Sequence, residues 1–114
     1  MIEETIDRTV RELRNEADID FIDLPFIAGS LREDLDLKTQ EEIRRHTLDV
    51  IRRLMERGVY PGDYDHAIHM AFWPGEPSGH LRRIEAEWIA MGKPLTLSDP
   101  ICWPQARIQS AKIA

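Results

Sequence analysis

The chain has a single cysteine, Cys102, so no disulfide can form within it, and a reducing compartment is the expectation. It has no apolar run near the roughly 20 residues that a membrane-spanning helix needs. Its opening, Met1-Ile-Glu-Glu-Thr5, carries acids where a secretory leader carries bases and then an apolar core. Internal repeats and low-complexity stretches are also missing, which excludes solenoids and compositionally biased segments. These absences point to a cytoplasmic protein. What is present is 114 residues, 42% hydrophobic and 32% charged. That composition is too apolar for disorder, and the length suits one domain able to bury a single core.

The net charge is −6, and all of it sits in one segment. Between Glu16 and Asp36 stand Glu16, Asp18, Asp20, Asp23, Glu33, Asp34 and Asp36 against the one base Arg32; outside that segment acids and bases balance. A local acidic patch repels nucleic acid and anionic membrane and attracts a basic partner. Asp18, Asp20, Asp23, Asp34 and Asp36 are therefore candidate partner-binding residues. A solvated surface loop is the plainer alternative.

Three helices are expected. Ile2, Ile6, Val10, Leu13 and Ala17 recur at three- and four-residue steps and predict a helix over 2–17. The second, over 39–57, has a start, a stripe and a stop. Thr39-Gln-Glu-Glu42 is a capping box; Ile43, Thr47, Leu48, Val50, Ile51, Leu54 and Met55 share one face; Gly58 follows as a C-terminal cap. The third, over 77–91, opens on Pro77 and presents Leu81, Ile84, Trp88 and Met91 inward before Gly92.

Between the first two, Asp18 to Gly29 alternates loosely and holds Pro25, so it reads as an extended connection. Ser30-Leu-Arg-Glu33 has capping-box spacing and could open a short turn. Pro61-Gly62 reads as a type II turn, His66 to Trp73 as a short strand, and residues 105–114 as a loose tail after a domain over 1–104. The class is mainly α or α+β, with room for a two-stranded β element.

No motif calls for a cofactor or specifies catalysis. Asp63, His66 and His69 are the candidate metal ligands, since carboxylate and imidazole suit zinc, iron or manganese. Their spacing places them on one face only if the stretch is helical, and Pro61-Gly62 and Pro74 argue against that. Cys102 stands between Ile101 and Trp103, an apolar setting that keeps a thiol protonated and inert. Arg44, Arg45, Arg52 and Arg53 could contact phosphates, but Glu41, Asp49 and Glu56 stand among them at ion-pair spacing, which favours a salt-bridged face. Tyr60 and Tyr64 are candidate interface anchors, whereas Phe72 and Trp73 are expected in the core.

From Ile43 to Trp103 an Ile-containing helix ends at Gly58, and Pro61-Gly62-Asp63, Phe72-Trp73, Arg83-Ile84-Glu85-Ala86-Glu87-Trp88, Gly92 and Ile101-Cys102-Trp103 follow. This pattern resembles a loose group of small, acidic, uncharacterised bacterial proteins, some of which look like immunity partners of secreted toxins. Here the closing Trp103 is followed by Pro104 where the group usually has Phe. The resemblance implies a structural role for these motifs and carries no catalytic residue across. The favoured reading is a small non-catalytic binding protein of a bacterial cytoplasm, immunity-like and directed at a basic protein. A metal-dependent enzyme using Asp63, His66 and His69 comes second, and a nucleic-acid-binding helical domain third. The sequence leaves a homo-oligomer open.

Overall fold

The helix α3, Gln40–Glu56, lies at the centre of the molecule and touches α1 (Ile2–Ala17), α2 (Leu24–Asp34) and α4 (Pro77–Met91). Its start is the expected capping box. The Glu42 amide donates to the Thr39 hydroxyl at 3.1 Å, and the Thr39 amide donates to the Glu42 carboxylate at 3.1 Å. Those bonds, the Thr39 amide first, hold the Glu42 carboxyl below its ordinary range. Ile43, Thr47, Val50, Ile51, Leu54 and Met55 are buried on one face. Thr47 keeps its place there because its hydroxyl donates to the Ile43 carbonyl at 2.7 Å.

The computed structural model describes residues 2–19, 22–64, 70–92 and 106–110. Among them the molecule is mainly helical, with four helices beside short strands. The helices over 2–17, 39–57 and 77–91 stand where the sequence places them. Gly92, at φ 67°, ends α4 in the left-handed conformation that its missing Cβ permits. No helix among the described residues is long and apolar enough to cross a membrane.

The fourth helix, α2, corrects the expected extended connection. Asp23 is its N-cap and Pro25 stands in its first turn, where the missing amide proton costs no helical bond. Leu24, Ile27, Ala28 and Leu31 then fall on one buried face at three- and four-residue steps. Ser30 therefore lies inside a helix and caps nothing. The helix ends in a Schellman arrangement: the Leu37 amide donates to the Arg32 carbonyl and the Asp36 amide to the Glu33 carbonyl. Asp36 takes the left-handed position at φ 53°, and Leu37 tucks into the core behind it.

Four strands form one antiparallel sheet in the order β1-β4-β2-β3: β1 (Ile22–Asp23), β2 (Val59–Tyr64), β3 (Met70–Phe72) and β4 (Ala106–Ser110). Two expectations are corrected here. Pro61-Gly62 is strand, because Pro61 accepts a bond from the Trp73 amide at the end of the β3 pairing. Its lack of a donor falls on the β3 side, so pairing with β4 continues through Pro61↔Ile108. The expected loose tail holds β4, which occupies the middle of the sheet, between β1 and β2. A row of Ile22, Ile108 and Pro61 on β1, β4 and β2, continued by Trp73 just after β3, crosses the sheet and is buried.

Alternation across β3 separates the two aromatics expected in the core. Trp73 is 6% exposed, whereas Phe72 stands on the other face at 42%. Trp73 is enclosed from α4: the Arg83 guanidinium lies 3.6 Å over its ring, and the His80 ring meets it edge-on at 5.9 Å. Burial and the Arg83 charge lower the pKa of His80 below its ordinary value.

Candidate functional site

The concavity that combines exposed apolar surface with unneutralised charge lies between α1 and α2. On α1, Thr9, Leu13 and Glu16 succeed one another at helical spacing, with Glu12 beside them. On α2, Phe26, Ser30 and Asp34 do the same. Together they line a groove of about 230 Å³. Leu13 is buried beneath it and Phe26 is 47% exposed, so a half-open aromatic ring contributes to its wall. Glu12, Glu16 and Asp34 are exposed around it.

Several acids among the described residues pair with an arginine or lysine. Arg53 reaches from α3 to Glu3 at 2.9 Å and Asp7 at 2.9 Å on α1, and to Asp49 at 3.1 Å on its own helix. The bonds from Arg53 hold the Glu3 carboxyl below its ordinary range. Arg52 bridges Asp49 and Glu56, Arg14 meets Asp18 at 2.9 Å, and Lys38 meets Asp36 at 2.8 Å. Glu12, Glu16 and Asp34 have no such partner among the described residues.

Two of these three also stand at the unfavourable ends of their helices. Glu16 is in the last turn of α1 and Asp34 is the last residue of α2. There the carbonyls present the negative end of the helix dipole. Glu12 and Glu16 are four residues apart on one helix, a like-charge spacing that is mildly destabilising. The groove therefore gathers three carboxylates that have no ion-pair partner among the described residues.

The structure sorts the residues singled out from the sequence. Asp34 lines the groove. Asp18 is committed to Arg14, and Asp36 to Lys38 and to the turn after α2. Asp23 holds the N-cap position of α2, where its side chain makes no cap hydrogen bond, and does not line the groove. Asp20 lies outside the described residues. Tyr60 is half-buried on β2 and meets Phe72 edge-on at 6.5 Å, away from the groove. Tyr64 and Asp63 are the last two residues of β2, and Asp63 pairs through its backbone with Ala71 and Ala106. His66 and His69, and with them the proposed metal cluster, lie outside the described residues, as does Cys102. The phosphate-contact reading loses support at Arg52 and Arg53, whose guanidiniums are engaged by carboxylates.

Sequence reasoning missed Glu12, Phe26 and Ser30. Their signal was the spacing Phe26, Ser30, Asp34 opposite Leu24, Ile27, Leu31, which becomes visible once Pro25 is read as a first-turn residue. Comparison with known protein families, characterised proteins and solved structures finds no match to this chain.

Proposed function

We propose that the protein is a small non-catalytic binding protein whose α1–α2 groove receives a basic protein partner. The observation that carries this reading is the set Glu12, Glu16 and Asp34: three carboxylates with no ion-pair partner among the described residues, around a groove with an exposed aromatic, two of them at helix ends that disfavour negative charge. Local conflicts of that kind cost stability, and folds retain them at sites where a partner supplies the missing charge. Electrostatic complementarity of this sort steers association and fixes register more than it adds raw affinity. The resemblance of Ile43–Trp103 to immunity-like proteins favours one form of the reading, in which the groove masks a basic surface of a toxin.

The test is affinity capture from a lysate of the source cells with the native protein and with a Glu12→Gln, Glu16→Gln, Asp34→Asn variant. The captured protein is then purified and titrated directly. A basic partner held by the native protein, released by the variant and weakened by raised salt is expected. An unchanged set of captured proteins removes the groove as the interface.

A further inference from the structure

We infer that the anchor this groove takes from its partner is one arginine side chain, an inference that rests on the basic-partner reading above. The first argument is size. At about 230 Å³ the groove is smaller than the roughly 300–1,000 Å³ of sites that enclose small-molecule ligands, so it matches a side chain better than a metabolite. The second is wall chemistry. Leu13 and Thr9 supply apolar atoms for an aliphatic stem, and the half-exposed Phe26 ring offers aromatic surface to a planar cation. The third is the position of the acids. Glu12, Glu16 and Asp34 come from two helices, which suits the divergent donors of a guanidinium better than the point charge of an ammonium. Ser30, on the α2 wall between Phe26 and Asp34, adds a hydroxyl that can accept a further N–H.

The fold already shows this chemistry in a second place. Arg83 stacks on Trp73 at 3.6 Å, and Glu87 stands 3.7 Å from the same guanidinium. The α1–α2 groove offers a comparable combination of ring and carboxylate with the arginine missing among the described residues.

The test titrates N-acetyl-arginine amide and N-acetyl-lysine amide separately into the full chain labelled with nitrogen-15. Shifts of the Thr9, Leu13, Phe26 and Ser30 amides are followed. The arginine compound is expected to bind roughly two- to fivefold tighter, because its planar guanidinium can stack on the Phe26 ring while donating to more than one carboxylate. Phe26→Leu keeps an apolar contact and removes the ring; it is expected to weaken the arginine compound more than the lysine compound and so abolish the preference. Glu16→Gln is expected to weaken both. Equal binding of the two compounds, or a preference that survives Phe26→Leu, overturns the arginine anchor and leaves the basic-partner reading to the capture experiment. No saturable shift at the groove with either compound also overturns the anchor. Loss of the captured partner in the Glu12, Glu16, Asp34 variant would then show that the wider reading holds without it.

Discussion

Neutralising Glu16 and Asp34 together should make the protein more stable, the opposite of what removing a structural contact does. The magnitude follows from position. A carboxylate in the last turn of a helix opposes the dipole by about 0.3–1 kcal/mol, and this applies to Glu16 on α1 and again to Asp34 on α2. The Glu12–Glu16 repulsion adds about 0.2–0.5 kcal/mol. Glu16→Gln with Asp34→Asn should therefore gain about 1–2 kcal/mol at low ionic strength. For a domain of this size that is a rise in Tm of roughly 4–8 °C. Ordinary surface changes stay within about 0.5 kcal/mol, so the effect is distinguishable. Thermal unfolding followed by far-ultraviolet circular dichroism, in low salt and in 1 M salt, measures it; the gain should shrink in high salt, where the Debye length is about 3 Å. A variant no more stable than the native protein, or a gain indifferent to salt, would refute the claim that these charges are uncompensated.

Three further outcomes follow from the same structure. Thr39→Ala removes the acceptor of the Glu42 amide and one half of the capping box, and should cost about 0.5–2 kcal/mol in urea unfolding with an unchanged slope. Ile108→Ala opens a cavity under the middle strand of the sheet and should cost about 2–5 kcal/mol; a loss below 1 kcal/mol would mean that β4 contributes little. His80 is held neutral in the fold while its unfolded form takes a proton near pH 6.5. Its contribution is thus complete above that pH and is lost as pH falls below it toward the depressed folded value. Urea unfolding of the native protein at pH 7.5 and 5.5 should show this fall, and His80→Phe should flatten it; an equal fall in the variant assigns the pH dependence elsewhere.

The sequence makes legible those elements whose signals are local. Thr39 with Glu42, the three- and four-step stripes and Gly92 each act within a few residues, so α1, α3 and α4 stand where periodicity and caps place them. Pro25 misleads because one residue type serves two opposite purposes, breaking a helix interior and opening a first turn. Pro61 misleads for a related reason: Pro-Gly favours a turn locally, but pairing with Ile108 on β4 and the Trp73 amide on the other side overrides it. β4 itself is invisible locally, because Ala106–Ser110 has one large apolar residue, Ile108, and its partners lie more than 40 positions upstream. The candidate site was legible as charge and not as shape. The acidic segment was plain, but Asp18 and Asp36 are held in ion pairs and do not line the groove. The groove takes its aromatic wall from Phe26 and one of its acids from Glu12, which the charge count did not single out.

The most direct test of the groove is a titration of the purified captured partner against the native protein and the Glu16→Gln, Asp34→Asn variant at fixed low salt. The account predicts a variant at least as stable as the native protein that binds the partner at least tenfold more weakly. Equal affinity for the two proteins would contradict it.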